Sequence, residues 1–391
     1  MPALRLPADL LPSVAELRRR SGFKWSHYPP DVLPAWIADM DFPPAPAVRR
    51  AVLAALDRGD LVYPNFETWG GLPQAFAARM ESLYGWRPDP ARTVVVGDVV
   101  QSIYLTLQTC TAPGDGVLVQ TPVYPPFLQA VAETGRRLLD NPLRQGPSRY
   151  EVDPGGWADL EGARLLLLCN PHNPTGRVLE RAELEALAEV VLARDLIVVS
   201  DEIHAELTWA GHTHTPFAML GEKVAARTIT LTSATKAFNI AGLRCSVAHF
   251  GSAELLARFQ SVPEHQRGGV GSLAIAATLA AWQEGGEWQE LVRAQLEENR
   301  RLLGSLLEAH LPGVRYLPPE ATYLAWLDCR QLGIGADPWR HFLDRARVAL
   351  SDGADFGPPG RGHVRLNFAT SPAILTEIVE RMGRSVGRAG A

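Results

Sequence analysis

The chain has 391 residues, long enough for more than one core, with 46% apolar and 21% charged residues, the balance of a soluble globular protein. A formal net charge of −5 argues against a nucleic-acid partner, which calls for a basic face, and no apolar run approaches the length of a membrane span. The N-terminal MPALRLPADLLPSVAELRRR lacks the apolar centre of a secretion signal, and Cys110, Cys169, Cys245 and Cys329 are widely separated without CxxC spacing. Free thiols, no metal site and a cytoplasmic location are therefore expected.

In chain order, Leu33 to Pro46 is Pro-rich and apolar, which predicts an extended arm, and Ala47 to Arg58 has the spacing of a short helix. Six apolar runs follow: Thr93–Val96, Gly116–Gln120, Leu165–Leu168, Leu196–Ser200, Thr228–Thr232 and Ser246–Phe250. Helical patterns at Ser102–Cys110 and Arg181–Ala193 alternate with them. Continuous apolar runs suit strands buried on both faces, and intervening helices suit a mostly parallel sheet, so the class is α/β. A long helical region, Leu273–His310, is interrupted at EGGEW. Beyond it, strands are expected at Thr322–Asp328 and His363–Phe368 with a helix between them, and a last helix at Ile374–Val386. The expected organisation is an arm over 1–46 that joins a small C-terminal α/β domain over 285–391, with a large domain over 47–284.

Four segments carry chemistry. In SATKAFNIAGLR, Ser233 and Arg244 flank Lys236 and offer a hydroxyl and a planar guanidinium to one phosphate. A lone lysine after a strand is most often a surface charge; a nucleophilic one must be largely neutral, which burial and nearby cations promote. NPHNPTG reads as a turn, or as a place where Asn173 meets a polar ligand atom at a strand's carboxyl end. In SDEIHAEL, Asp201 is a helix cap or the partner of a protonated ring nitrogen, while Glu202 points to the opposite face. His204 lies within reach of the same ligand, although a lone histidine is more often structural. Tyr124, in QTPVYPPF, stacks on a flat ring or fills a corner.

Together these segments resemble the fold-type I enzymes that depend on pyridoxal 5′-phosphate, the class I/II aminotransferase superfamily, over nearly the whole chain. More narrowly, KWSHYPPDVLPAWIADMDF, PGDGVLVQTPVYPPF, EATYLAWLDCR and GHVRLNFA, with the segments above, resemble its cystathionine β-lyase branch of the MalY/PatB type. The resemblance implies a large domain with a mostly parallel seven-stranded sheet plus a smaller α/β domain. It implies that Lys236 carries the cofactor as an imine, Asp201 pairs with the pyridinium nitrogen, Asn173 bonds the ring's 3-oxygen and Tyr124 stacks on the ring. Ser233, Arg244 and the amides of Val99, Val100 and Gln101 at a helix N-terminus would hold the phosphate, and Arg365 would clamp the substrate carboxylate beside the backbone of Ala38.

Three departures stand out. His204 occupies a position where many aminotransferases have Tyr, and fits the lyase branch. Tyr63 resembles a tyrosine that reaches the neighbouring subunit's phosphate, but Pro64 and Asn65 follow it where Gly-Tyr is common. Asp98 sits where glycine is frequent, and an acid beside a phosphate is unfavourable unless its side chain points away.

The expected reaction is α,β-elimination on L-cystathionine or a related cysteine S-conjugate, giving homocysteine or another thiol, pyruvate and ammonia, in a homodimer with shared sites. Transamination with a keto acid is the alternative and uses every residue named. A purely regulatory role through a transcription factor has no helix-turn-helix or lost lysine to support it.

Overall fold

A computed structural model describes residues 6–153 and 161–387, so the first five residues of the arm and the last four of the chain lie outside the described residues. The strands in chain order are β1 (Leu33–Pro34), β2 (Thr93–Val96), β3 (Gly116–Val119), β4 (Arg137–Asp140), β5 (Arg144–Gln145), β6 (Tyr150–Glu151), β7 (Ala163–Cys169) and β8 (Ile197–Asp201). They continue as β9 (Thr228–Thr232), β10 (Ser246–Phe250), β11 (Arg315–Tyr316), β12 (Leu324–Asp328), β13 (Val348–Ala349), β14 (Ser351–Asp352) and β15 (His363–Asn367).

A central seven-stranded sheet has the order β2-β10-β9-β8-β7-β3-β4. Only β10 runs against its neighbours. Every residue of β3, β9 and β10 is buried, because helices cover both faces of the sheet; this is why the strands read as unbroken apolar or β-branched runs. The edge strand β4 differs. Arg137, Leu138 and Asp140 are exposed, so RLLD carries no apolar signature and only six runs stand out in the sequence.

Helix limits shift in places for local reasons. The helix expected from Ser102 begins at Val99, because the Asp98 carboxylate caps it by accepting from the Gln101 amide at 2.7 Å. The long helical region divides into Ser272–Glu284 and Gly286–His310. A Cβ on Gly285 would lie 2.5 Å from the Ala281 carbonyl oxygen and 2.6 Å from the Phe238 ring, so the break needs glycine for close approach. The strand expected from Thr322 starts at Leu324, since Thr322 has φ 71° and cannot continue a ladder. Between β12 and β15 the helical stretch is short, Pro338–His341 followed by a wide turn over Phe342–Ala346.

A second, antiparallel sheet has the order β11-β12-β15-β14 and packs beside the helices Gly286–His310 and Pro372–Val386. The N-terminal arm lies beside it: β1 forms a separate two-stranded parallel sheet with β13, and the Asn367 amide at the end of β15 donates to the Ala35 carbonyl at 2.8 Å. A buried ion pair between Lys24 and Asp41 at 3.0 Å, with the Trp25 indole donating to the same carboxylate at 2.6 Å, anchors the arm. The backbone of residues 37–42 is thereby brought within hydrogen-bonding reach of Lys236 and Asn239, after β9, and of Asn367 on β15. Among the described residues, no helix is long and apolar enough to cross a membrane.

Candidate active site

Because β10 alone is reversed, the carboxyl ends of β2, β3, β7, β8 and β9 and the amino end of β10 share one edge of the sheet. Loops leaving this edge carry Asp98, Tyr124, Asn173, His204 and Lys236, and Arg244 lies just before β10. They line a cavity of about 580 Å³ together with Val99, Val100, Gln101, Asp201 and Ala38 of the arm. Open α/β sheets place ligands outside such strand ends.

Lys236 is at the end of a single helical turn, Ala234–Ala237, capped by the Ser233 hydroxyl. Its Nζ donates to the Ala38 carbonyl at 2.9 Å. Burial pulls the ammonium below its ordinary value; Asp39 opposes this, Arg365 adds to it and Asp201 opposes it. Asp201 ends β8 and is buried, with the Ile203 amide donating to it at 3.1 Å. Burial raises its carboxyl to about 7, and neighbouring Glu202 adds repulsion, against the pull of the Ile203 amide and Lys236. Glu202 turns to the other face, where it accepts from Ser200 Oγ at 2.9 Å, His214 Nε2 at 3.0 Å and the Phe217 amide at 3.1 Å.

Arg365 comes from β15 of the second sheet and reaches Asn173 of the cavity lining. Its Nη1 donates to Asn173 Oδ1 at 2.9 Å, and its Nη2 donates to the Trp36 carbonyl at 3.0 Å and Ser351 Oγ at 3.1 Å. Burial lowers the guanidinium to about 10. His204 is buried beside Tyr323, and burial together with the charges of Lys236 and Arg365 lowers it to about 3, so the ring is neutral. Tyr124 caps the helix Pro125–Glu133 and faces the same space.

The other end is wetter. Val99, Val100 and Gln101 form the first turn of their helix, whose amides the helix itself leaves without acceptors. Asp98 takes the Gln101 amide and also pairs with the Arg244 guanidinium. Ser233 does not face the cavity: its hydroxyl donates to the Cys245 carbonyl at 2.6 Å and accepts from the Thr235 amide at 3.0 Å. Tyr63 also lies outside the cavity, 90% exposed beside Leu61, Val62 and Phe66.

Three residues in this region escaped the sequence reading. The Tyr323 hydroxyl donates to Ala38 at 2.8 Å. Asn239 accepts from the Met40 amide at 2.9 Å and donates to the Met40 and Phe42 carbonyls at 3.0 and 2.9 Å. Asn367 donates to the carbonyls of Ile37 and Asp39, both at 2.7 Å. Each is a polar residue inside an apolar motif, EATYLAWLD, KAFNIAG and VRLNFA, and that contrast was the available signal.

The residues present fit a flat, protonated, anionic cofactor. Asp201 is a buried carboxylate short of countercharge, and His204 Nδ1 and Arg365 Nε are buried without hydrogen-bond partners. A pyridinium nitrogen would supply the missing positive charge, and a substrate carboxylate would engage the guanidinium.

Comparison with known proteins agrees. The family model for aminotransferases of class I and II matches residues 37–382. The cystathionine beta-lyase PatB of Bacillus subtilis is 36% identical over 90% of this chain and 92% of its own. A cystathionine beta-lyase of Corynebacterium glutamicum is 34% identical, covering 95% of this chain and 98% of its own. The crystal structure of cystalysin from Treponema denticola, which contains pyridoxal 5′-phosphate, superposes with a TM-score of 0.90 at 28% identity, over 95% of this chain and 97% of that one.

Proposed function

The chain belongs to the aminotransferase class I and II family, and from that premise we propose that it is a pyridoxal-5′-phosphate-dependent carbon–sulfur β-lyase. Its substrate is L-cystathionine or a related cysteine S-conjugate, cleaved to a thiol, pyruvate and ammonia. The observation that carries this reading is one cavity lined by half-buried Lys236, buried Asp201 and Asn173, the last hydrogen-bonded by buried Arg365, in a chain similar over nine-tenths of its length to proteins named cystathionine beta-lyase.

When bound, the cofactor's protonated ring draws off the electron pair that is left at Cα. Every other part of the work falls to this chain. Arg365 takes the substrate carboxylate with its paired N–H groups, and Asn173, already hydrogen-bonded to it, fixes its plane. Burial keeps Lys236 Nζ neutral for a larger share of the time, so it can accept the Cα proton. The Asp201 carboxylate would pair with the ring nitrogen and keep it protonated. Tyr124 would lie against the ring, and the first-turn amides of Val99, Val100 and Gln101, with Arg244, would hold the phosphate, while Ser233 stays turned to the Cys245 carbonyl and caps the turn that carries Lys236. With the Cα proton on Lys236, the Cβ–S bond breaks and the sulfur leaves with the bonding pair.

The same reading makes residues 47–284 the cofactor-holding domain and 285–391, joined by 1–46, the part that brings Arg365 over it. It also makes the enzyme a homodimer: Leu61 and Val62, each 71% exposed, and Tyr63 form an apolar stretch that a second copy would cover, with Tyr63 directed to that copy's phosphate end. Widely separated cysteines support the cytoplasm as its place.

The test is direct. Full-length protein loaded with cofactor should release pyruvate and homocysteine from L-cystathionine with no keto acid added. Turnover that needs a keto acid and yields no thiol would reject the lyase in favour of an aminotransferase.

A further inference from the structure

Resting on the cofactor reading above, we infer that Asp98 is a competing anion built into the phosphate end of the cavity, and that it loosens this chain's hold on its cofactor. The two donor groups best placed for a phosphate are both engaged by this one carboxylate. Its Oδ1 accepts from the Gln101 amide at 2.7 Å, and its Oδ2 pairs with the guanidinium of Arg244. Helix capping accounts for the first contact, since Asp is a favoured cap. It does not account for the second, in which an arginine 146 positions along the chain reaches back to the same side chain.

Arg244 has no other side-chain partner among the described residues, and its side chain is 70% exposed, so Asp98 is what holds it at the cavity. The third expected donor, the Ser233 hydroxyl, is turned to the Cys245 carbonyl. The donors at this end of the cavity are therefore satisfied from within the chain by one carboxylate.

An arriving phosphate meets that carboxylate in one of two ways. Asp98 swings out and gives up both the cap and the ion pair, or it stays and the two anions repel. Either route weakens binding, and with glycine at this position neither arises. The exposure of Arg244 means that water and salt screen the effect, which keeps it moderate.

The experiment compares full-length wild-type protein, Asp98→Asn and Asp98→Gly. It reads the dissociation constant of pyridoxal 5′-phosphate by absorbance titration and the melting temperature without cofactor. Asn caps a helix about as well as Asp, so Asp98→Asn removes the charge and leaves the cap. Asp98→Asn should bind the cofactor about tenfold tighter with little change in the cofactor-free melting temperature. Asp98→Gly should also bind more tightly while melting at a lower temperature without cofactor, so the two readouts move in opposite senses. Unchanged or weaker cofactor binding by both variants overturns the inference and makes Asp98 a residue that orients Arg244. A wild-type chain that takes up no cofactor at all overturns the functional reading first, and the two failures are thereby distinct.

Discussion

The two ends of the cavity are built on opposite principles. At the ring end Asp201, His204 and Arg365 are buried and Lys236 is half-buried, the charges of Lys236, Asp201 and Arg365 are poorly matched by neighbours, and burial shifts the ionisation of all four groups. At the phosphate end Arg244 is exposed and Asp98 half-exposed, and they pair with each other. Groups kept dry and short of countercharge are ready for a ligand that brings it, whereas hydrated groups settle their charges locally. Chemistry belongs at the first end, and adjustable affinity at the second.

That contrast can be broken experimentally, beginning where the effect is greatest. Lys236→Ala removes the group that takes the Cα proton, so pyruvate release should fall by roughly a thousandfold or more. Near-normal turnover would remove the dry end from the chemistry altogether.

Next in size is the pH response of Asp201. A buried carboxyl raised to about 7 favours its protonated form, so the stability it contributes is present below about pH 4 and is lost as pH rises to about 7. The loss is at most about 4 kcal/mol in cofactor-free protein. Bound cofactor supplies a positive ring nitrogen and relieves it. The difference in melting temperature between loaded and cofactor-free protein should therefore widen across that window, and Asp201→Asn should flatten the trend. A gap independent of pH in the wild type would mean that Asp201 has its countercharge already.

Arg365→Ala should lower kcat/KM by about a hundredfold, roughly 3 kcal/mol, carried mainly by KM because a carboxylate loses its paired donors. A change confined to kcat would place the substrate carboxylate elsewhere. The smallest effect belongs to Tyr323→Phe, which leaves the Ala38 carbonyl with Lys236 as its donor. Loss of one buried hydrogen bond should lower stability by about 1 kcal/mol in chemical denaturation, with turnover reduced only a few-fold. A collapse of activity there would promote Tyr323 from holding the arm to taking part in the reaction.

The sequence by itself determined the sheet's buried strands and the residues at their ends. Burial on both faces writes a strand as an unbroken run, and Asn173, Asp201 and Lys236 each follow such a run at short range, so local pattern was enough. It could not mark β4, whose exposed RLLD looks like any loop. Nor could it supply pairings across long stretches of chain: Lys236 with Ala38 over 198 positions, Arg365 with Asn173 over 192, Tyr323 with Ala38 over 285. Those were decided by the tertiary structure, because the reversal of β10 and the docking of the arm set which distant groups share an edge. The acid at Asp98 shows the division most plainly. Its presence was legible as a departure, but only the fold showed that it faces the cavity and takes hold of Arg244.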